Sequence, residues 1–227
     1  MPFSAGNTIS DAVVFDLDGT LIDSIDVYVR ILNIAFRRIG VPEAPRDQVL
    51  AAIRDGGFDW NQVLADLHHR QREEIIQKTR EIVSDLYKDA FRNDVTLIPG
   101  TDLLSEQLSA QGIRLGIVTS TLKRFIEYKL YPLQKAGIDN LFEAVITSDD
   151  VQQKKPAADP LIECAKRLSV DPQKMIYVGD TVVDIQAGKA AGAMTVGVLT
   201  GVDDYETLKT EDPDAIIESV AGLRRLI

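Results

Sequence analysis

The stretch "VVFDLDGTLIDS", residues 13–24, decides the fold because its apolar start ends in two aspartates and a glycine turn. Its first three residues are β-branched or aromatic, as in a buried strand. Asp16 and Asp18 follow two positions apart, so in an extended chain both side chains lie on the same side. Two carboxylates 4 Å apart repel by about 4 kcal/mol at an effective dielectric constant of 20. The pair therefore needs a nearby cation or raised pKa values.

Further apolar runs follow along the chain, each short and rich in valine or isoleucine. They span residues 113–119, 143–147, 174–180, 193–199 and 214–219. None alternates cleanly between apolar and polar residues, which is typical of parallel strands covered by helices on both faces. Amphipathic segments separate the runs, and this alternation predicts an α/β fold with a doubly wound parallel sheet.

The region between the first and second runs lacks this pattern. Apolar residues recur at helical spacing in residues 25–39 and 75–91, and no strand-like run of similar quality lies between them. We therefore predict an inserted all-helical domain, residues 23–95, within an α/β core formed by residues 1–22 and 96–227.

Composition narrows the function. The chain has 227 residues, a net charge of -10 and a single cysteine. The acidic balance disfavours nucleic acid and anionic membranes as partners, and no apolar run approaches the ~20 residues needed to span a bilayer. The N-terminus lacks the features of a signal peptide, and one cysteine permits no intrachain disulfide. These features predict a cytoplasmic protein.

Polar residues stand at the carboxyl ends of the predicted strands, where doubly wound sheets bind their ligands. These residues are Asp16, Asp18, Thr119, Ser120, Asp180 and Asp184, with Lys154 and Lys155 starting a nearby helical segment. A single aspartate at a strand end is usually a helix N-cap, but that interpretation does not account for four acids together. Oxygen ligands without histidine favour Mg²⁺.

Four segments carry a family resemblance. "DLDGTLIDS" (16–24), "VTS" (118–120), "KKP" (154–156) and "GDTVVD" (179–184) resemble, in the same order, the motifs of the haloacid dehalogenase superfamily. The resemblance is to its phosphatase branch, in particular to phosphoglycolate phosphatase-like members, and spans residues 12 to about 227. It implies a Rossmann-like core and identifies the helical insert as a C1-type cap that closes over the site.

The resemblance also implies catalytic roles. Asp16 matches the nucleophile that forms an aspartyl-phosphate, and Asp18 matches the general acid that later acts as base. Thr119 matches the hydroxyl that binds the phosphoryl group. Lys155 matches the lysine that offsets negative charge there. Lys154 is the alternative, and the position directly before Pro156 favours Lys155.

The implied metal is Mg²⁺. Asp180 matches a direct ligand, together with the Asp16 carboxylate and the backbone carbonyl of Asp18. Asp184 matches a further acid that binds directly or through water. We also expect substrate contacts from Gly19, Thr20 and Ser120. Gly19 permits a tight turn that directs backbone N–H groups at a phosphate, whereas Ser120 stands where relatives often carry asparagine.

The segment "IRDGGFDW", residues 53–60, is the most unusual part of the insert. One hypothesis makes it a specificity loop in which Arg54 meets a substrate anion. The alternative is an ordinary turn between helices, with Trp60 in the core of the insert. His68 and His69 are adjacent, so on a helix they point about 100° apart and do not chelate one ion.

The resulting prediction is a Mg²⁺-dependent phosphatase that hydrolyses a small phosphomonoester, such as phosphoglycolate. The expected partner is a small phosphorylated metabolite, and the oligomeric state, monomer or homodimer, is left open. The alternatives are a sugar phosphomutase of the same fold and a non-catalytic regulatory protein that binds a phosphorylated ligand. The acid at position 18 argues against dehalogenation, because the dehalogenating branch lacks an acid at that position.

Overall fold

A computed structural model of the chain describes residues 10–54, 57–65 and 69–227. Its strands are β1 (Ala12–Phe15), β2 (Ile22–Asp23), β3 (Thr96–Leu97), β4 (Arg114–Val118), β5 (Phe142–Ile146), β6 (Met175–Gly179), β7 (Met194–Val198) and β8 (Ala215–Ile217). Its helices are α1 (Ile25–Arg38), α2 (Arg46–Ile53), α3 (Trp60–Val63), α4 (His69–Asn93), α5 (Thr101–Ala110), α6 (Lys123–Lys129), α7 (Tyr131–Ala136), α8 (Asp159–Leu168), α9 (Val182–Ala191) and α10 (Tyr205–Lys209).

Within the described part of the chain, six strands form one parallel sheet in the order β5-β4-β1-β6-β7-β8. The central strand β1 shows why the sequence run is continuously apolar. Val13 and Phe15 belong to one buried cluster, and Ala12 and Val14 belong to another. Because successive side chains of a strand point to opposite faces, both faces of the sheet are covered. The predicted doubly wound α/β fold is confirmed.

The cap helices α1–α4 follow one another between β2 and β3, which pair antiparallel. In the described residues from 25 to 93 there are helices and no strand. Helices α1 and α4 pack side by side around a small apolar cluster that includes Leu32 and Phe36. The domain boundaries at 22/23 and 95/96 stay a prediction. None of the helices in the described ranges has both the length and the apolar character needed to cross a membrane.

Trp60 lies against this small cluster, and its ring centroid is 4.5 Å from that of Phe58. This contact agrees with the alternative in which Trp60 belongs to the core of the cap. Residues 55–56 of the proposed specificity loop, and His68, lie outside the described residues. The side chain of His69 is likewise not described.

Candidate active site

The candidate site lies at the carboxyl ends of three adjacent strands. Asp16 directly follows β1, Thr119 follows β4 and Asp180 follows β6. Since β1 pairs with both β4 and β6, the three strand ends meet at one edge of the sheet. The N–H of Asp16 donates to the carbonyl of Val178 at 2.8 Å, so the sheet ladder fixes its backbone.

Lys155 lies between two buried carboxylates. Its Nζ is 2.6 Å from Oδ1 of Asp16 and 2.6 Å from Oδ1 of Asp184. The same ammonium donates to the hydroxyl of Tyr177 at 3.1 Å, and that hydroxyl donates to Asp184 at 2.8 Å. Burial alone would lower the pKa of Lys155, but Asp16 and Asp184 hold it well above its usual value. The neighbouring Lys154 is exposed, whereas Lys155 is buried, and Lys155 is the lysine that contacts the acids.

The acids themselves are strongly perturbed. Burial raises the pKa of Asp16 to about 7; Lys155 opposes this shift, whereas Asp184 and Asp18 add to it. Burial, followed by the charges of Asp16 and Asp184, raises the pKa of Asp180 well above its usual range. Burial is the largest cause of both shifts, and repulsion between the neighbouring carboxylates adds to it.

Asp180 is held by a second set of contacts. Thr20 Oγ1 donates to Oδ1 of Asp180 at 3.1 Å, and the N–H of Val202 donates to Oδ2 at 2.8 Å. A Cβ at Gly201 would stand 1.8 Å from Oδ2, and one at Gly19 would stand 2.7 Å from it. Both positions therefore need glycine for steric reasons. Gly19 also has a φ of +75°, which L side chains rarely adopt.

Two of the predicted substrate-binding residues, Thr20 and Gly19, take part in a turn next to Asp180. Thr20 has no exposed surface, and its hydroxyl contacts Asp180. The N–H of Gly19 donates to the carbonyl of Ile22 at 2.9 Å within the turn. Both residues therefore lie next to Asp180, and their contact with a substrate stays a prediction.

Three of the acids fit a divalent metal ion. Asp16, Asp180 and Asp184 each offer a carboxylate oxygen, and these oxygens lie within 4.8 Å of one another. All three residues are buried. An oxygen-only set with excess negative charge suits a hard divalent cation. Neighbouring carboxylates add to the burial that raises the pKa values of Asp16 and Asp180, and a divalent cation would relieve this repulsion.

Asp18 lies beside this set and is more open, its side chain 23% exposed against 10% for Asp16. Its Oδ1 accepts from Ser24 Oγ at 2.6 Å, and its Oδ2 forms an ion pair with Lys129. Thr121 Oγ1 stands 3.4 Å from the same Oδ2. Asp18 therefore faces the space in front of the strand ends.

That space is a cavity of about 590 Å³ between core and cap. Its lining includes Asp16, Asp18, Thr119 and Ser120 from the core. Thr119 Oγ1 donates to Thr121 Oγ1 at 2.9 Å, which orients its hydroxyl beside Asp18. The cap contributes aliphatic and polar side chains together with five aromatic ones: Tyr28, Phe58, Trp60, Tyr87 and Phe91.

Arg54 also lines the cavity, and it has a core partner that the sequence does not reveal. Its Nε is 2.7 Å from Oδ1 of Asp203, whose side chain is fully buried. The other oxygen of Asp203 accepts from the N–H of Val182 at 2.8 Å, at the start of α9. A contact between Arg54 and a substrate anion stays a prediction.

Sequence reasoning missed several residues of this site. Tyr177 could have been found from the sequence, because a hydroxyl within a fully apolar strand needs a hydrogen-bond partner. Residues 200–203 could also have been found, since they follow the carboxyl end of β7, where the strand-end rule applies as well. Nothing in the sequence marked Lys129 as a site residue, because it ends an ordinary amphipathic helix.

Comparisons with known proteins agree with this geometry. The family model for haloacid dehalogenase-like hydrolases matches residues 13–198. A phosphoglycolate phosphatase of Escherichia coli O157:H7 is 33% identical over 230 residues, covering 93% of this chain and 90% of that protein. The crystal structure of a predicted phosphoglycolate phosphatase from Haemophilus somnus 129PT superposes with a TM-score of 0.83 at 25% identity, covering 96% of this chain and 98% of that one. The chain therefore belongs to the haloacid dehalogenase-like hydrolase family.

Proposed function

We propose that this protein is a Mg²⁺-dependent phosphatase that hydrolyses a small phosphomonoester, such as phosphoglycolate. The observation that carries the proposal is the group of charged side chains at the sheet edge. There Asp16 and Asp18 stand on one sheet edge, and Lys155 and two further buried acids surround Asp16. The similarity to phosphoglycolate phosphatases over 93% of the chain supports the substrate class.

The first step uses Asp16 as nucleophile. One of its oxygens attacks phosphorus while the bond between phosphorus and the leaving oxygen breaks, and Asp18 gives that oxygen a proton. The product is an aspartyl-phosphate on Asp16 and a free alcohol. Lys155 lies 2.6 Å from Asp16 and offsets negative charge on the transferring group. The hydroxyl of Thr119 binds a phosphoryl oxygen.

The second step releases phosphate. Asp18 accepts a proton from a water molecule, whose oxygen attacks phosphorus, and the bond to Asp16 breaks. One carboxyl group thus serves as acid and then as base, and the enzyme returns to its starting state. Ser24 and Thr121 orient the Asp18 carboxyl toward the cavity throughout.

Asp16, Asp180 and Asp184 would hold the metal ion, with the backbone carbonyl of Asp18. When bound, Mg²⁺ supplies positive charge to the phosphoryl oxygens. Thr20, Gly201 and the N–H of Val202 keep Asp180 oriented toward this position. Tyr177 and Thr181 do the same for Asp184, with Thr181 Oγ1 2.6 Å from its Oδ2.

The cap, residues 23–95, would close over the cavity, exclude bulk water from it and select the leaving group. Ser120 and Arg54, which line the cavity, contact the substrate in this proposal. Its small phosphorylated substrate and the single cysteine are consistent with a cytoplasmic location. The phosphomutase and the non-catalytic alternative gain no specific support from the site.

The test is phosphate release from a panel of phosphomonoesters, with and without Mg²⁺. Asp16→Asn removes the nucleophile and should lower kcat by at least about 10³-fold, in line with losses on removal of other catalytic nucleophiles. Asp102→Asn, an exposed acid on α5, is the matched control and should keep full activity. Turnover that survives in Asp16→Asn would refute the assignment. Formation of a sugar-phosphate isomer instead of free phosphate would favour the mutase.

A further inference from the structure

The ion pair between Lys129 and Asp18 has no part in the mechanism above. Lys129 is the last residue of α6, a core helix, and its side chain is only 13% exposed. Its ammonium bonds to Oδ2 of Asp18 and lines the cavity. Burying an ammonium is unfavourable unless it is paired with an anion. The position of Lys129 therefore points to a function for its charge.

Aromatic rings lie near this ammonium. Its Nζ lies 5.5 Å from the ring centroid of Phe91, within the range of a cation–π contact. Tyr28, Tyr87 and Phe91 of the cap and Phe125 of α6 line the same cavity.

Lys129 stands on the side of the leaving group. In the proposed reaction Asp18 hydrogen-bonds the leaving oxygen, whereas Lys155 serves the nucleophile Asp16 on the other side. Two consecutive hydrogen bonds of about 3 Å place the leaving oxygen within about 6 Å of Lys129 Nζ. A carboxylate one carbon beyond that oxygen can reach the ammonium.

Most other cations that line the cavity have partners of their own. Lys155 lies between Asp16 and Asp184, and Arg54 pairs with Asp203. The guanidinium groups of Arg80 and Arg124 lie over the rings of Trp60 and Phe125, at 5.7 and 4.8 Å from the ring centroids. Lys154 also lines the cavity, but its side chain is exposed and keeps its hydration. An ammonium has three donors, so Lys129 can keep Asp18 and still bind a second anion.

We propose that Lys129 is a specificity residue that binds a carboxylate on the leaving group, which makes the substrates phosphomonoesters of small hydroxy acids. This inference rests on the proposed phosphatase function and narrows its substrate class. The pairing with Asp18 then has two effects: it positions the acid/base group, and it holds the ammonium where the carboxylate arrives.

The test compares two substrates that differ in this carboxylate, phosphoglycolate and 2-hydroxyethyl phosphate. Lys129→Met should raise KM for phosphoglycolate by about 10- to 100-fold, the usual effect of losing a hydrogen bond to a charged group. KM for 2-hydroxyethyl phosphate should stay within about twofold. Glycolate should inhibit hydrolysis of 2-hydroxyethyl phosphate by the wild type, and this inhibition should weaken by the same factor in Lys129→Met.

Two variants serve as controls. Lys129→Arg keeps the charge and should recover part of the preference for phosphoglycolate. Lys123→Met removes the exposed lysine at the other end of the same helix and should change neither KM. Thermal unfolding of each variant shows whether it is folded, and the ratio of the two KM values within one variant does not depend on the amount of folded protein.

The outcomes are distinct. An equal fall in kcat on both substrates, with KM unchanged, would mean that Lys129 only positions Asp18, and the specificity role would be wrong while the phosphatase stands. A wild type that prefers 2-hydroxyethyl phosphate would also overturn the inference. Failure of the wild type to release phosphate from any phosphomonoester would refute the proposed function itself, and this inference with it.

Discussion

The floor and the wall of the cavity each contain a lysine paired with an aspartate of the first motif, and the two pairs are built differently. On the floor, Lys155 is 5% exposed and meets two carboxylates and the Tyr177 hydroxyl, all from the core. On the wall, Lys129 is 13% exposed, meets one carboxylate, and faces aromatic rings of the cap. On the floor the lysine contacts only groups of the core, which suits chemistry common to all substrates. The wall leaves a cation facing the ligand and suits selection among them.

A third pair joins the cap to the core and is more open still. Arg54 is 43% exposed, whereas its partner Asp203 is fully buried. Exposed ion pairs contribute little, typically below about 1 kcal/mol. The three pairs thus form a series of decreasing burial of the cation, and substitutions along it should have decreasing effects.

The largest effect is expected on the floor. Lys155→Met leaves Asp16 and Asp184 without their shared cation, and removing one partner of a buried pair costs about 3 kcal/mol of unfolding free energy. Loss of this charge from the site should lower kcat by about 10²- to 10³-fold. Urea unfolding and phosphate-release kinetics measure the two effects. Lys154→Met, next to it but exposed, should change kcat by less than about twofold. Equal losses in both variants would contradict the choice of Lys155.

A smaller effect is expected for Gly201, which lies next to the Asp180 carboxylate. A Cβ at Gly201 would stand 1.8 Å from Asp180 Oδ2, so Gly201→Ala must displace that carboxylate. Asp180 is the proposed metal ligand, and a change in the residues that hold a ligand in place typically weakens metal binding by about 10- to 100-fold. The Mg²⁺ concentration that gives half-maximal activity should rise accordingly, as should the dissociation constant measured by calorimetry. Gly57→Ala, in the cap, has no atom within 4 Å of the new Cβ and should leave both unchanged. Unchanged Mg²⁺ binding in Gly201→Ala would remove Asp180 from the metal site.

The smallest effect is expected at the cap boundary. Arg54→Ala should lower the unfolding free energy by about 1 kcal/mol at neutral pH. Arg46→Ala, whose pair with Asp26 is exposed on both sides, should cost less than about 0.5 kcal/mol. An Arg54→Ala loss no larger than that of Arg46→Ala would mean that burial of Asp203 adds nothing. Separately, if Arg54→Ala leaves KM unchanged across good substrates, Arg54 does not contact the substrate.

The pH dependence of this variant has a defined sign. Burial raises the pKa of Asp203 in the folded protein, and Arg54 partly opposes that shift. Between the unfolded and folded pKa values the native state holds a proton that the unfolded chain has lost, so stability falls as pH rises through this window. Removing Arg54 raises the folded pKa further and widens the window. Wild type and variant should differ least below about pH 4 and most at neutral pH. A constant difference across this range would contradict the assignment.

Much of the active-site floor was predictable because its signals are local. Six apolar runs without alternation indicated a parallel sheet with two covered faces, and the sheet contains six strands at those places. Polar residues after three of the runs indicated a site at one sheet edge. Asp16, Thr119, Lys155, Asp180 and Asp184 do lie there. Parallel strands place their carboxyl ends at one edge of the sheet. A motif directly after each strand is therefore enough to predict that these residues lie close together.

Only the tertiary structure showed that Lys129 contacts Asp18 and which residues hold the buried acids in place. Lys129 and Asp18 are 111 residues apart, and Thr20 and Asp180 are 160 apart. Gly201 matters because its missing side chain leaves room for Asp180, and Arg54 meets a buried acid of another domain. The sequence alone determined which strands end in acids, since burial and turn formation act on neighbouring residues. Which distant side chain partners each acid depends on how cap and core pack, because a contact between remote residues leaves no periodic trace in either segment.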